Sequence, residues 1–338
     1  MAKVTMREVA EACGVSKMAV SLALRGHPSV PPETQERIRE AAERLGYNLN
    51  PYLSRLMAQI RTHPAQRKCL SVAFLNHFPG RFLDAKAEPL KLFYKGAIAR
   101  AQQRGFVIYE MSRPFGEREQ KAQRAKLLNL GVDGVLVFPF EEPLGARQLD
   151  WKSYPAVTLG YTYQGNECHR VCCDYFRNAK IVIEALVRHG RKRIGYITSP
   201  WVHTRTFGRF TGGILSAAHD PGAPTILKPL WMSEFSAEAI LRYVRRERCD
   251  ALVYFENFPV VEALREKLRI PEDLAVVSCS LTEGEMKQGT AGVYEEAAKV
   301  GLRAFDYLEA LILSSSKEVQ DPANEVLVHG SWRPGRTL

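Results

Sequence analysis

From residue 69 onward the chain alternates short apolar runs with amphipathic helical stretches, and this alternation restricts the possible folds more than any other feature. Leu70–Leu75 is a continuous apolar run, Leu92–Arg104 has helical spacing closed by Gly105, and Phe106–Met111 is again a strand. The pattern goes on with helix Gln120–Leu130 and strands Val132–Phe140 and Ala156–Gly160. Beyond Asp174 it predicts helix Tyr175–His189, strand Arg193–Thr198, and helices Phe210–Ala218 and Ala237–Arg246. Strand Ala251–Phe255, helix Val260–Lys267, strand Leu274–Cys279 and helix Glu295–Leu313 follow. Strands of this kind belong to parallel sheets covered by helices on both faces. About 270 residues exceed one ordinary doubly wound sheet, so two parallel α/β subdomains with a cleft between them are expected.

The first 48 residues have a different texture. Thr5 and Glu8 stand at capping-box spacing, which starts a helix at Met6 and lets Gly14 end it. Ser16 caps a second helix over Lys17–Leu24, and Pro32 opens a third, Glu33–Leu45. Val9, Ala10, Cys13, Val15, Val20, Leu24, Ile38, Ala41, Leu45 and Tyr47 are the candidate core of this helix-turn-helix unit. Asn50-Pro51 opens a fourth helix with Leu53, Leu56, Met57 and Ile60 on one stripe, and residues 62–68 form a polar linker. The expected division is 1–48 headpiece, 49–68 hinge helix and linker, and 69–338 body. Within the body the two subdomains are drawn at 69–170 with 300–318, and 171–299 with 319–338.

Charge supports an anionic partner. The 338 residues hold 47 Lys and Arg against 37 Asp and Glu, a formal charge of +10. Ten basic and six acidic residues fall within the first 67, so this segment carries +4. On the second helix Val20 and Leu24 face the core, while Lys17, Met18, Ser21 and Leu22 share the outer face. Such a face can enter a major groove, where Lys17 donates to guanine and Met18 and Leu22 touch thymine methyls. Ser16, Ser21 and the helix-start amides suit phosphates. On geometry alone, a small bundle for protein contacts remains open.

The stretch Val4-Thr5-Met6-Arg7-Glu8-Val9-Ala10-Glu11-Ala12-Cys13-Gly14-Val15-Ser16, then Val20-Ser21, Glu33-Thr34 and Leu45-Gly46-Tyr47, closely resembles the N-terminus of the lactose-repressor (LacI) family of bacterial transcription regulators. The resemblance implies a homodimer on a pseudo-palindromic DNA operator, with residues 17, 18 and 22 reading bases. It implies a hinge helix whose Leu56 wedges into the minor groove, bending the duplex at a cost of a few kcal/mol. Thr5, Ser16, Ser21, Asn50 and Leu53 complete the DNA-binding set. Three positions depart from the family pattern: Leu22 replaces a polar or basic reader, Pro31 a Ser/Thr cap, and Leu53 a small hinge residue.

The resemblance runs on to about residue 330 through Val171–Asp174, His189–Ile197, Arg209-Phe210-Thr211-Gly212 and Ile270–Val277. It implies a periplasmic-binding-protein-like body that takes a small effector, sugar-like, in its cleft. Ligands of such folds sit outside the carboxyl ends of the strands and need polar groups and aromatic faces there. Asn76, His77, Asp174, Trp201, His203, Arg205, Arg209, Trp231 and Asn257 occupy strand-end positions and form the candidate effector set. Arg209 leads it, because the family's R-x-x-G arginine holds the effector. Glu256-Asn257 and Ser278–Leu281 lack the usual carboxylates, which shifts the expectation to another sugar, an acidic one matched to Arg205 and Arg209, or no ligand at all.

No G-x-S-x-G elbow, G-x-x-x-x-G-K-[ST] loop or G-x-G-x-x-G after a strand is present, so no enzyme activity and no cofactor are expected. Cys168, His169, Cys172 and Cys173 suggest a metal cluster only superficially, since adjacent strand residues point to opposite faces. No apolar run approaches the ~18–20 residues of a membrane span. The N-terminus lacks a signal-peptide pattern, and the seven cysteines form no C-x-x-C pair, so a cytoplasmic location is expected. The alternatives are a solute-binding protein of the same core fold, or an α/β enzyme with a helical appendage.

Overall fold

A computed structural model describes residues 5–24, 29–45, 69–76, 82–84, 88–112, 117–139, 154–163, 168–255, 258–314 and 323–338. The chain divides into two compact units, residues 1–68 and 69–338. The first holds α1 (Met6–Cys13), α2 (Lys17–Ala23) and α3 (Pro32–Arg44). Thr5 and Glu8 close their capping box, and Gly14 adopts φ 63°, a left-handed stop that glycine adopts freely. Pro31 gives α3 no side-chain cap. Val9, Ala10, Val20, Ala23, Val30, Ile38 and Ala42 form the small core.

The second unit opens with β1 (Ser71–Asn76), α4 (Glu88–Gln103), β2 (Val107–Ser112), α5 (Glu117–Leu130), β3 (Gly134–Val137), β4 (Ala156–Leu159) and β5 (His169–Cys173). Next come α6 (Tyr175–Arg188), β6 (Arg193–Thr198), α7 (Pro200–Arg205), α8 (Arg209–Ser216), β7 (Thr225–Ile226) and β8 (Leu230–Trp231). The chain continues through α9 (Ala237–Glu247), β9 (Ala251–Tyr254), α10 (Val260–Arg265), β10 (Ala275–Ser278), α11 (Glu283–Lys287) and β11 (Ala291–Tyr294). It then runs through α12 (Ala297–Ser314), β12 (Glu325–Val328) and β13 (Ser331–Arg333).

These strands build two sheets. The first has the order β12-β5-β4-β3-β1-β2, with every pair parallel. The second runs β13-β11-β10-β9-β6-β7, with β8 also on β6 and only β13 antiparallel. The central strands are buried on both faces, as expected for covered parallel sheets. One boundary needs correction. Glu325–Val328 pairs with β5 in the first sheet, whereas 319–338 was expected to lie wholly with the second subdomain. The strand is partly exposed at the sheet edge, so it lacks the continuous apolar run that marked the others.

Close helix approaches seal the layers. A Cβ on Gly301 would sit 1.9 Å from the Phe93 carbonyl oxygen, and one on Gly96 would sit 1.8 Å from that of Ala298. These two glycines let α12 lie directly on α4. Arg100 Nε meets Asp306 Oδ1 at 2.6 Å across the same crossing.

Three crossings join the sheets, and hydrogen bonds tie them to one another. The Asp174 N–H donates to the Val328 carbonyl at 2.9 Å, and the Cys173 thiol donates to Glu295 Oε2 at 3.3 Å. The Gly330 N–H donates to Asn178 Oδ1 at 3.0 Å, and the Ser331 hydroxyl to Glu296 Oε1 at 2.5 Å.

Candidate functional site

In the headpiece, the Ser16 hydroxyl accepts from the Ala19 N–H at 3.1 Å and fixes the start of α2. Its first turn leaves Lys17 in solvent and Met18 68% exposed. Ser21 is half-buried. Leu22 departs from the expected open face, because it is half-buried and packs on the headpiece core. In a helix Leu22 lies only about 100° round from the next residue, here the buried Ala23. Thr5 is committed to capping: its hydroxyl accepts from the Glu8 N–H at 3.5 Å, and its own N–H donates to Glu8 Oε2 at 2.5 Å. The Thr5 N–H and hydroxyl both donate to the Glu8 carboxylate and hold it below its usual range. Asn50, Leu53 and Leu56 lie outside the described residues.

In the body, three of the expected effector residues join one aromatic and cationic cluster between the sheets. Arg209 begins α8, and its guanidinium lies 5.1 Å from the Tyr161 ring centre and pairs with Glu325. Arg170 reaches the same ring at 5.1 Å. Phe207 stacks on Tyr161 at 5.8 Å with planes 9° apart. It stays 69% exposed and adopts φ 53°, a conformation that strains a bulky residue by about 1–3 kcal/mol. Tyr161 touches Tyr175 at 6.2 Å, and Tyr175 meets Phe255 edge-on at 5.6 Å. Arg205 lies over Phe255 at 5.5 Å and over Trp201 at 6.0 Å. The contacts thus run continuously from Trp201 to Glu325.

Local sequence explains how α8 presents Arg209. A Cβ on Gly213 would come within 2.4 Å of the Phe176 carbonyl oxygen, so this glycine seats α8 on α6. Gly212, the glycine of the R-x-x-G step, has only ordinary contacts.

The other expected residues are dispersed. His203 points off the opposite side of α7 from Trp201 and meets Trp231 at 6.0 Å. Trp231 is 51% exposed on its two-residue strand. Asp174 caps α6, accepting from the Arg177 N–H at 3.0 Å, with His329 Nε2 3.6 Å away. Asn76 is buried at the end of β1. His77 and Asn257 lie outside the described residues.

Strand-end reasoning missed Tyr161, Tyr175, Phe207, Phe255, Arg170 and Glu325. Tyr161 and Phe255 follow the carboxyl ends of β4 and β9, so the same rule applied to every strand would have found both.

The thiols near this cluster are poor nucleophiles. Burial pushes Cys172 up to about 12, and burial, reinforced by Glu295, raises Cys173 well above its ordinary value. Burial likewise raises Tyr161 and Tyr175. A thiol reacts as its thiolate, and these groups stay protonated at neutral pH. Cys172 and Cys173 also lie apart in chemistry, the first beside Tyr161 and the second on Glu295.

A capped helix-turn-helix unit ahead of a body of paired parallel sheets defines a DNA-binding transcriptional regulator. Residues 5–50 match the family described as bacterial regulatory proteins, lacI family. The chain is 27% identical over 331 residues to the HTH-type transcriptional regulator GntR of Pseudomonas aeruginosa, covering 94% of this chain and 92% of that one. It is 25% identical to the HTH-type transcriptional regulator AscG of Escherichia coli K12, over 81% of each. The lac repressor dimer bound to operator and the anti-inducer ONPF shares the fold, with TM-score 0.60 and 20% identity over 99% of each chain. So does the transcriptional regulator CelR in complex with cellobiose, with TM-score 0.59 and 20% identity over 99% of this chain and 100% of that one. The chain is a DNA-binding transcriptional regulator whose N-terminal unit matches the lacI family.

Proposed function

We propose that this regulator acts as a repressor that binds a pseudo-palindromic operator as a homodimer in the cytoplasm, under control of a sugar or sugar derivative in the crevice between its sheets. The observation that carries the reading is α2, capped by Ser16, with Lys17 and Met18 exposed on its first turn. A helix presented in this way enters the major groove with its N-terminal residues on base edges. Lys17 donates to guanine, Met18 packs on a thymine methyl, and Ser16 and Ser21 hold phosphates beside Thr5. Asn50, Leu53 and Leu56 belong to the hinge helix, with Leu56 as the minor-groove wedge.

Arg209, Arg205 and Trp201 are the effector contacts that the cluster favours, and Tyr161 and Phe255 join them. Each comes from the end of a strand or the helix after it, where ligands of parallel sheets bind. Effector and operator each favour one geometry of the two sheets, so each changes the other's affinity by the same factor. The lac repressor dimer on its operator and CelR with cellobiose are precedents among proteins of this fold.

The test is selection of fragments from the source genome by the purified full chain under stepwise increases in salt. Non-specific binding is electrostatic and collapses as salt rises, while a specific complex outlasts it by orders of magnitude. Recovery of a palindrome is the expected result. A pool that empties at one salt step, whether or not neutral and acidic sugars are added, overturns the reading.

A further inference from the structure

The second sheet carries a cationic face at the end away from the crevice. Trp201, Arg205 and Arg209 follow the carboxyl end of β6, whereas this face gathers the residues that lead into the amino ends of β6 and β9. Residues 188–193 run from the last turn of α6 into β6, and residues 245–250 from the last turn of α9 to β9. Together they hold seven Lys and Arg against two acids, a surplus of five. Taking the first 67 residues from the whole leaves 37 basic and 31 acidic residues, a surplus of six. Nearly all the excess charge of the body is therefore in these two short segments. Hydrogen bonds make them one surface. Asp250 accepts from the Lys192 N–H at 2.7 Å and the Arg193 N–H at 2.9 Å. The Arg193 guanidinium donates to the carbonyls of Glu247 at 2.8 Å and Arg248 at 3.2 Å.

Part of this charge serves the fold. Arg193 fills carbonyls at the carboxyl end of α9, and Arg188 donates to the Glu184 carbonyl of α6 at 3.3 Å. Arg191 donates to the Pro271 carbonyl at 2.7 Å. Cations suit helix carboxyl ends, where the last carbonyls are open. The two acids are also occupied, Asp250 by backbone N–H groups and Glu247 by Arg246 at 2.8 Å. Lys192, Arg245 and Arg248 remain. All three are exposed, and their side chains have no partner among the described residues. Arg248 ends α9 at φ 52° and ψ 50°, the left-handed position where glycine or asparagine is usual. Its side chain adds a charge there and makes no described contact. The surplus stops beyond Pro271, where Glu272 is exposed and Arg269 is closed on Asp273 at 2.6 Å.

The chemistry of the face selects its partner. None of the exposed large apolar side chains lies in either segment, and Val187 stops just short of the first. A protein partner needs an apolar centre with aromatic anchors, which this face lacks. A duplex needs only free cations placed to meet phosphates, and each phosphate neutralised releases counterions. We propose that this face is a second DNA contact of the regulator, in which Lys192, Arg245 and Arg248 hold the phosphate backbone of a duplex without reading its sequence. The site belongs to the body and uses none of the crevice residues.

The experiment uses the full chain loaded with unlabelled operator trimmed to its palindrome, which occupies the headpiece and brings no flanking duplex. A short labelled duplex of unrelated sequence is then titrated by anisotropy over a range of salt. The parent should bind it, with affinity falling steeply as salt rises. Replacing Lys192, Arg245 and Arg248 together with Gln should weaken this binding at least tenfold at low salt and lower the salt slope by about two to three. Operator affinity should stay within twofold. A variant with Lys192→Arg, Arg245→Lys and Arg248→Lys keeps the charge and should bind within a few-fold of the parent. In the parent itself, the labelled duplex should shield the Lys192 amine from acylation while exposed Lys299 reacts as before. An operator-loaded parent that ignores the second duplex overturns the proposal. Equal binding by the parent and the Gln variant does so too, as does unshielded Lys192. Capture of polyglutamate or of phosphatidylserine vesicles in place of the duplex would assign the face to an acidic protein or a membrane and also overturn it.

Discussion

Lys17 and Leu22 sit five positions apart on α2 and should fail in different ways. The Lys17 side chain is in solvent, so Lys17→Ala should leave thermal unfolding unchanged and weaken operator binding by about 1–3 kcal/mol, the value of one base contact. Leu22 is half-buried on the headpiece core, and Leu22→Ala should destabilise that unit by about 1–2 kcal/mol through lost apolar contact. Differential scanning calorimetry and fluorescence anisotropy on the two variants separate these effects. A Lys17→Ala chain that melts early would show that this side chain supports the fold. At this scale the sequence was informative where a local rule applied. Arg209, Arg205 and Trp201 follow a strand end and were legible. Glu325 was not, because it lies on a short edge strand with no distinct apolar run, and its arginine partners are distant in sequence.

Among the elements, α8 offers a paired test in adjacent residues. Gly213→Ala puts a methyl 2.4 Å from a backbone oxygen of α6, and forcing that contact apart should cost about 1–3 kcal/mol. Gly212→Ala meets only the Phe176 ring at 3.8 Å, so the gain in helix propensity should stabilise by about 0.5–1 kcal/mol. Urea unfolding of both variants reads the difference, and equal losses would mean that α8 is not seated on α6 as described. Caps and long helices were legible for the same local reasons: Thr5 with Glu8 and Ser16 each mark a start by side-chain chemistry. β7, β8, β12 and β13 have two to four residues each, too few to establish a period. Their places are set by the sheets they join.

At the scale of the whole molecule, the buried hydroxyls and thiols between the sheets predict an alkaline limit to stability. Tyr161, Tyr175, Cys172, Cys173 and Cys279 all have raised values, with burial the leading cause. Above about pH 9, the ordinary thiol value, the unfolded chain releases protons that the folded chain retains. The unfolded state then binds fewer protons, so the free energy of unfolding falls as pH rises. Urea midpoints should hold steady from pH 7 to about pH 8.5 and decline beyond it. A flat profile to pH 11 would mean that these groups reach water in the native state. The two-sheet architecture followed from the strand and helix alternation alone, but the route of the third crossing did not. Glu325–Val328 and Ser331–Arg333 lie in different sheets only a few residues apart, and no change in composition marks the step.

The central claim is that α2 reads DNA sequence. Fluorescence anisotropy of the full chain with the recovered operator, and with a shuffled duplex of equal length, tests it over a range of salt. The parent chain should favour the operator by at least about a thousandfold at physiological salt. Replacing Lys17 and Met18 together with alanine should remove most of that ratio while leaving affinity for the shuffled duplex within a few-fold. If both affinities fall together, or the ratio survives the double substitution, sequence is not read by this helix.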